Sequence, residues 1–197
     1  MNLHWVALGL GNPKDRYGGT RHNVGSETIE FLLSGLGGGY HFVKGRNFQG
    51  IFSGDSLYVV QCCYMNESLL IVQELGGMGF QIDQWCVVHD EMALPVGRLR
   101  ISNGGSAAGH RGVESICWGL KTKSFPRIRI GVQPCFDMDR SRMKEYVLSG
   151  FTDMELPVIR TVIPWAAAAV LSVIGDGIHR AMDRFNCKNA QSMEVDS

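Results

Sequence analysis

His22 and Asp90 are the two residues whose types and contexts best suit acid–base chemistry. Histidine is the one side chain that exchanges protons near neutral pH without perturbation, and His22 stands in the polar phrase TRHNVG at the start of an apolar helical pattern. Asp90 ends the apolar run WCVVHD. A carboxylate that accepts the Nδ1 proton of an imidazole holds its tautomer and stabilises the imidazolium. No serine or cysteine occupies an obvious nucleophile elbow, so activation of water is the simplest chemistry. The alternatives are a surface histidine at a helix start and an aspartate that caps a helix or lies in a loop.

Two asparagines and a second histidine are further candidates. The amides of Asn12 and Asn66 can donate to a carbonyl oxygen, and one donor to a developing oxyanion is worth roughly 10²–10³ in rate. The alternative for both is a turn-forming role. His110 follows a glycine turn, where it either takes part in the site or caps a helix. His89 is predicted to be structural, because neighbours in a strand point to opposite faces.

The elements that must position these residues alternate between strands and helices. The predicted strands are HWVALGLG, the hairpin FQGIFSG–SLYVVQCC, WCVVHD, GRLRIS at or near a sheet edge, and RIRIGV. The predicted helices are 23–36, NESLLIVQEL, GHRGVESICWGL and a last helix that starts at a capping box, Thr152 to Glu155, and runs with a kink at Pro164 to about Phe185. This order predicts an α/β fold: a single domain over residues 1–186 with a twisted mixed central sheet flanked by helices on both faces, and a flexible tail at 187–197.

Three of the candidate residues follow strand ends. Asn12 comes after the first strand, Asn66 after the hairpin and Asp90 at the end of WCVVHD. Ligand sites in open α/β sheets collect at the carboxyl ends of the strands. The sequence therefore predicts that these polar side chains share one cleft.

The charge distribution points to phosphate contacts. The chain carries 19 basic and 19 acidic residues, so its formal net charge is zero. Between Arg98 and Arg129, however, there are seven basic residues and a single acid, Glu114. Local asymmetry of this kind suits contact with phosphates, and the alternative is a solvated face with alternating strand charges. The candidate phosphate-binding residues are Arg98, Arg100, Lys121, Lys123, Arg127 and Arg129.

Several classes of protein do not fit the sequence. The six cysteines show neither a CxxC pair nor zinc spacing, which indicates a reduced intracellular protein with no metal. GLGNPK matches the dinucleotide fingerprint only in part, so no cofactor is expected. The apolar run from Val162 to Ile174 contains a proline and is expected to be too short to span a bilayer. No leader is recognised before the first strand, and we expect a cytoplasmic protein, or a mitochondrial one if the source is eukaryotic.

Three separated motifs resemble the bacterial-type peptidyl-tRNA hydrolase family. LGLGNPKDRYGGTRHNVG is similar to its N-terminal signature, YMNES to its Met-Asn-x-Ser element, and VVHDEMALPVGRLRISNGGSAAGHRGVESI to its long second signature. The likeness extends over roughly residues 5 to 151 and weakens along the final helix. It implies a single α/β domain that hydrolyses the ester between a peptide and the terminal ribose of tRNA, without metal or cofactor.

The resemblance also implies roles for individual residues. His22 is the catalytic base, Asp90 orients it, and Asn12 and Asn66 hold the substrate, with Asn66 near the peptide main chain. Asn23 is expected to support the helix start. The further residues expected to line the substrate pocket are Tyr17, Met65, His110 and Arg111. Arg100 and Arg129 correspond to basic residues that face tRNA phosphates. The expected partner is peptidyl-tRNA, bound by a monomer with no membrane and no obligate protein partner.

The chain departs from the family pattern at three positions. Arg111 stands where asparagine is usual, and it either clamps the RNA terminus or narrows the peptide channel, since an arginine is bulkier and cannot accept a hydrogen bond. Lys14 replaces a usual glycine, and Ser102 a common basic residue. The alternative function is therefore a catalytically impaired RNA-binding protein of the same fold.

Overall fold

The computed structural model describes residues 2–36, 40–136 and 138–187 of the chain. Within these residues the strands form one seven-stranded sheet, in the order β2-β3-β4-β1-β5-β7-β6. Their bounds are β1 Asn2–Gly9, β2 His41–Lys44, β3 Phe48–Ser53, β4 Ser56–Gln61, β5 Gln81–Pro95, β6 Leu99–Asn103 and β7 Pro126–Gln133. β1 pairs in parallel with β4 and β5, and β5 with β7, whereas the remaining pairs are antiparallel. The mixed sheet is confirmed.

Helices cover both faces of the sheet, as expected. Their bounds are α1 Lys14–Tyr17, α2 Val24–Gly35, α3 Leu69–Gly77, α4 Arg111–Leu120, α5 Met143–Val147, α6 Leu156–Gly175 and α7 Ile178–Phe185. Short 3-10 turns span Arg21–Asn23, Met65–Glu67 and Arg140–Arg142. The apolar sides of α2, α6 and α7 form one core with the sheet, and those of α3 and α4 form the other. The α/β fold class predicted from the sequence is confirmed.

β1 occupies the middle of the sheet because its side chains are apolar toward both faces. Trp5 and Ala7 pack in the core with α2 and α6, and Val6 and Leu8 pack in the core with α3 and α4. A strand buried on both faces shows such a continuous apolar run, and burial of each valine or leucine side chain stabilises the fold by about 1.5–3 kcal/mol. The carboxyl ends of β1 and of its parallel neighbours β4 and β5 therefore meet at one edge.

Asp90 lies inside a strand rather than at its end. β5 continues to Pro95, so the expectation that Asp90 closes it is wrong. The pairing of β5 with β1 nevertheless stops at Val88, opposite Gly9, while pairing with β7 goes on through Glu91. At Asp90, β5 therefore pairs with a strand on one side only. The chain that follows β1 lies along its other side.

The last predicted helix is two helices. α6 runs through Pro164 and ends at Gly175, and Gly177 turns the chain with a φ of 86° before α7 begins. Such a φ favours glycine, so the break comes at Gly177 and not at the proline. The capping box is confirmed, because the Thr152 N–H and hydroxyl donate to Glu155 and the Glu155 N–H donates back to the Thr152 hydroxyl.

α6 is also longer than the apolar run suggested. Its 20 residues are long and apolar enough to cross a membrane by length and composition, which corrects the expectation that the segment is too short. Half of its most apolar window is buried inside the fold, where Val162, Ala166 and Val170 pack in the core with α2. These contacts are those of the core helix of a folded domain.

The sequence patterns located most elements correctly but missed the shortest. The predicted helix 23–36 and the hairpin around Gly54 are present as α2 and as β3–β4. β2, α1 and α5, of four or five residues each, were not predicted. All six cysteines are free thiols. The proposed domain boundary falls beside the last described residue, and positions 188–197 of the predicted tail lie outside the described residues.

Candidate active site

A cleft of about 450 Å³ lies at the carboxyl edge of β1, β4 and β5. Its wall combines the turn after β1, the 3-10 turns at His22 and Asn66, β5, the loop into α4, and residues 143–150, which are called the α5 segment below. Every residue expected in the catalytic centre or substrate pocket lines this cleft: Asn12, Tyr17, His22, Met65, Asn66, Asp90, His110 and Arg111. Residues more than ninety positions apart in the chain are thus brought together.

His22 and Asp90 are in direct contact. His22 Nδ1 lies 2.9 Å from Oδ1 and 3.0 Å from Oδ2 of Asp90. An ionised carboxylate only accepts hydrogen bonds, so Nδ1 carries the proton and donates it. Nε2 of the neutral ring makes no hydrogen bond to any described residue and is left as a proton acceptor at the cleft. Asp90 is 2% exposed and His22 17%, so the imidazole shields its partner from water.

Asp90 stays ionised despite its burial. Burial by itself raises the pKa of this carboxyl, but attraction to the His110 and His22 rings and the hydrogen bonds from both outweigh it and hold the pKa well below its usual range. His110 Nε2 lies 2.9 Å from the same Oδ1 that His22 approaches. The site therefore keeps a negative charge beside any imidazolium that forms on His22.

Close packing of α2 against β5 places His22 next to Asp90. A Cβ added to Gly25 would lie 2.3 Å from the carbonyl oxygen of Val88, which no side chain tolerates. The Leu10 N–H donates to this same carbonyl, at 3.0 Å, and the Ser26 N–H donates to the Leu10 carbonyl, at 2.9 Å. The first turn of α2 is thereby tied to the end of β1 and to β5, three residues after His22.

The two candidate asparagines differ in how firmly they are held. Asn12 is buried, and its Oδ1 accepts the Met65 N–H at 2.9 Å, so its Nδ2 is the end left without a hydrogen bond to a described residue. Asn23 fixes the Asn12 backbone, accepting from its N–H and donating to its carbonyl at 2.9 Å each. Asn66 is exposed on the cleft wall. Asn23 occupies the N-cap position of α2, but its side chain holds the Asn12 backbone and makes no cap hydrogen bond.

The backbone conformation of the loop before α4 places the His110 ring against Asp90. Ala108 has a φ of 48° and Gly109 a φ of 82°, and a positive φ is uncommon for a residue with a side chain. The His110 N–H closes this turn on the Ala107 carbonyl at 2.8 Å. His110 then caps α4, because its Nδ1 accepts the Val113 N–H. The two alternatives predicted for His110 therefore both hold, because it caps α4 and it also lines the cleft.

His22, Asp90 and His110 form one group of donor atoms of the types that bind metals. The nitrogen–oxygen separations of 2.9 Å are those of hydrogen bonds, and each of these ring nitrogens is directed at the carboxylate. We therefore assign the three residues to a hydrogen-bonded network.

Comparisons with known proteins establish the family of the chain. Residues 6–194 match the family model described as peptidyl-tRNA hydrolase. The peptidyl-tRNA hydrolase of Chloroflexus aggregans is 39% identical over 189 residues, covering 92% of this chain and 98% of that protein. The one from Thermus thermophilus is 39% identical over 185 residues, covering 92% and 96%. The chain belongs to the peptidyl-tRNA hydrolase family.

The fold of the family is present in full. The crystal structure of peptidyl-tRNA hydrolase from Acinetobacter baumannii superimposes with a TM-score of 0.83 at 23% identity, covering 95% of this chain and 96% of that one. A likeness at that identity speaks for the fold alone. The family membership that the three sequence motifs suggested is confirmed over the domain.

The basic residues expected to contact RNA are of two kinds: some are exposed, and others are hydrogen bonded within the protein. Arg100, Lys121 and Lys123 are exposed. Arg127 is 2% exposed, and its guanidinium donates to the carbonyls of three residues, Gly105, Ser106 and Lys123. The expectation that Arg127 contacts RNA must therefore be corrected, because it ties the loop before α4 to β7.

Two other arginines of this set are partly engaged. Arg129 donates from Nε and Nη2 to Glu91, at 3.0 and 2.8 Å, so its charge is largely balanced within the protein. Arg98 donates to the Asn186 carbonyl at 2.8 Å. Arg111 is exposed at the first position of α4, on the cleft rim. Counting charges along the sequence could not separate these environments.

Sequence reasoning missed Arg21, the neighbour of the predicted base. It is 3% exposed, donates to the Ser149 hydroxyl at 2.8 Å and pairs with Glu155. Its guanidinium lies over the Tyr146 ring at 4.1 Å. Arg21 thereby fastens the α5 segment, four residues of which line the cleft, to the turn that carries His22. An arginine beside the histidine was visible in TRHNVG, but nothing in the sequence indicated its partner.

Proposed function

We propose that the protein hydrolyses the ester bond of peptidyl-tRNA, with His22 as the general base. The observation that carries this proposal is the buried Asp90 carboxylate that accepts from His22 Nδ1, which leaves Nε2 as an acceptor at a cleft that two asparagines also line. General-base catalysis contributes roughly 10²–10⁴ in rate. An ester needs no strong electrophile, and the side chains present suffice for this chemistry.

The proposed reaction uses one water molecule. His22 Nε2 takes a proton from water while the water oxygen attacks the ester carbonyl carbon, and Asp90 stabilises the imidazolium that forms. The carbonyl oxygen becomes an oxyanion that receives a hydrogen bond from Nδ2 of Asn12. The carbon–oxygen bond to the ribose then breaks, and the imidazolium returns its proton to the departing ribose oxygen. The products are a peptide with a free carboxyl group and a tRNA with a free ribose hydroxyl.

The other cleft residues are proposed to hold the substrate. Asn66 is exposed on the rim and can bind the peptide main chain near the ester. Tyr17 and Tyr64 meet edge to face, with ring centroids 6.4 Å apart, and together with Met65 they supply an apolar wall. Such walls with a few polar groups are typical of sites for organic ligands.

The tRNA is proposed to lie along the exposed side of α4. Arg111, Trp118 and Lys121 fall on this side at helical spacing, and Lys123 follows the helix. One acid, Glu114, lies among them. Trp118 is 80% exposed, whereas the other three tryptophans are buried, and aromatic side chains stack on unpaired bases. Because α4 starts at the cleft, a tRNA on this surface can extend its 3′ end toward His22.

The alternative of a catalytically impaired RNA-binding protein is not favoured. The family relatives are named peptidyl-tRNA hydrolases, and the candidate base, its carboxylate and both asparagines are assembled in one cleft. We propose a monomer that acts in the cytoplasm. Light scattering after size-exclusion chromatography checks the first point, and cell fractionation the second.

The test of the catalytic proposal is His22→Asn assayed on an N-blocked aminoacyl-tRNA. We expect peptide release to fall at least about 10²-fold, with tRNA binding retained. His4→Asn is a matched control, because His4 contacts Asp83 in a second, exposed His–Asp pair at 3.1 Å. A near-parental rate in the first variant refutes the assignment. Binding without release by the parent protein would favour the alternative.

The RNA surface is tested separately. Lys121→Glu, on this surface, should weaken binding of every tRNA alike and reduce the slope of log K against log salt, because phosphate contacts carry no base information. Arg160→Glu on α6, also exposed, is the control. Stacking on Trp118 predicts that tRNA quenches the fluorescence of the parent but not of Trp118→Phe. Equal quenching in both proteins would exclude Trp118 from the surface.

A further inference from the structure

His110 makes two hydrogen bonds, one from each ring nitrogen. Its Nδ1 lies 3.2 Å from the Val113 N–H at the start of α4. Its Nε2 lies 2.9 Å from Oδ1 of Asp90. The ring is 11% exposed and lies close to His22, with ring centroids 5.0 Å apart.

These contacts fix the position of the proton on His110. A backbone N–H only donates, so Nδ1 must present its lone pair and carries no proton. The proton of the neutral ring is therefore on Nε2, which donates to Asp90. A second proton on Nδ1 would remove the acceptor of the Val113 N–H and break the helix cap. The helix cap thus favours the Nε2–H tautomer of His110, which points its N–H at the carboxylate.

We propose that His110 is a positioning residue that orients Asp90 and takes up part of its negative charge, so that the carboxylate–His22 pair acts as a base over a defined pH range. This inference rests on the proposed function. It differs from the expectation that His110 binds substrate, because both of its ring nitrogens are already engaged within the protein.

The surroundings of Asp90 leave this role to His110. His89, the preceding residue in β5, donates from Nδ1 to the Asp90 carbonyl at 2.7 Å, and its ring lies 4.8 Å from that of His110. Burial, followed by the nearness of His110, lowers the pKa of His89 to about 3, so no positive charge forms beneath His110. The other ionisable side chains that line the cleft are Tyr17, Tyr64, Glu91, Arg111 and Lys144. Glu91 is engaged by Arg129, and none of the five is hydrogen bonded to Asp90.

Two substitutions separate the two hydrogen bonds. Asparagine at position 110 places an oxygen near the site of Nδ1 and is a good N-cap, so His110→Asn keeps the cap and loses the donor to Asp90. Glutamine places an N–H near the site of Nε2, so His110→Gln keeps the donor and loses the cap. The pair is assayed for peptide release across pH and for thermal unfolding.

His110→Asn should lower kcat about tenfold and leave KM within about twofold, because His110 acts through Asp90 and not on bound substrate. Without the second donor, the carboxylate attracts the His22 imidazolium more strongly. The acidic limb of the profile of kcat/KM against pH should then move up by about 0.5–1 unit. His110→Gln should keep the parental profile and lose about 2–4 °C in Tm.

Other results overturn the proposal. A raised KM with an unmoved pH profile in His110→Asn would make His110 a substrate contact, and loss of activity only in proportion to unfolding would make it merely structural. The proton assignment is checked without activity by long-range 1H–15N spectra of the histidine rings, with His110→Asn identifying the signals. An Nδ1–H tautomer at His110 contradicts the proposal even in an active enzyme. The expected tautomer in a protein that releases no peptide would instead contradict the proposed function.

Discussion

Replacing Asp90 by asparagine changes the shape of the side chain little but removes the negative charge that, in the proposed mechanism, stabilises the His22 imidazolium. With Nδ1 of His22 2.9–3.0 Å from the carboxylate oxygens, the two charge centres are about 4 Å apart, and at an effective dielectric constant of about 20 their attraction is about 4 kcal/mol. A tenfold change in rate corresponds to about 1.4 kcal/mol. We therefore expect Asp90→Asn to lower kcat by about three orders of magnitude. An asparagine amide facing Nδ1 would also favour the wrong tautomer of His22.

The assay is single-turnover release of peptide from an N-blocked aminoacyl-tRNA. Asp83→Asn provides the control, because Asp83 is the carboxylate of the exposed pair with His4 and should leave the rate unchanged. Circular dichroism and a melting curve establish that Asp90→Asn is folded. A folded Asp90→Asn enzyme within tenfold of the parental rate would show that the buried charge does not support the base, and the mechanism would have to be abandoned.

Three further predictions concern packing and pH. Gly25→Ala forces a Cβ against the Val88 carbonyl and should lower the free energy of unfolding by about 1–3 kcal/mol, measured by urea unfolding. Because the substitution moves His22 away from Asp90, kcat for peptide release should also fall at least about tenfold. Arg127→Met removes the donor of three hydrogen bonds to loop carbonyls and should cost about 3 kcal/mol, a fall in Tm of about 6–12 °C. The tRNA affinity of the folded protein should stay unchanged, and a selective loss of affinity would restore Arg127 to the RNA surface. His89 has a pKa of about 3 in the folded protein and titrates near 6.5 when unfolded, so the unfolded state binds more protons between these values. Stability should therefore fall by about 1.4 kcal/mol per unit as pH drops from about 6.5 to 4.5, and urea titrations of His89→Phe should lack this slope.

Local patterns in the sequence predicted the longer elements and three polar residues of the cleft, and the family resemblance added Tyr17, Met65 and Arg111. Apolar periodicity located α2 and β1, and polar residues after strand ends identified Asn12, Asn66 and Asp90 as neighbours. The pattern could not show which strands lie side by side in the sheet or where each pairing stops. Asp90 was expected at a strand end, yet β5 continues and only its partner strand stops.

Local patterns could not predict whether a charged side chain is buried or exposed, or where the last helix breaks, for a related reason. Arg127 and Lys121 count equally in a sum of charges, but one guanidinium is enclosed by carbonyls and the other cation is exposed. Local patterns also predicted one last helix, whereas α6 continues through Pro164 to Gly175 and the chain turns at Gly177 before α7. Burial and backbone angle are set by tertiary contacts, which a single sequence does not display.

The fastening of the α5 segment by Arg21 has a consequence for ligand design. Arg21 and His22 are consecutive residues, so a single peptide unit separates the clamp on the cleft wall from the reacting imidazole. A ligand that displaces the cleft-wall residues of the α5 segment would therefore also move the imidazole of the proposed base, so the shape of the cleft and the position of His22 change together.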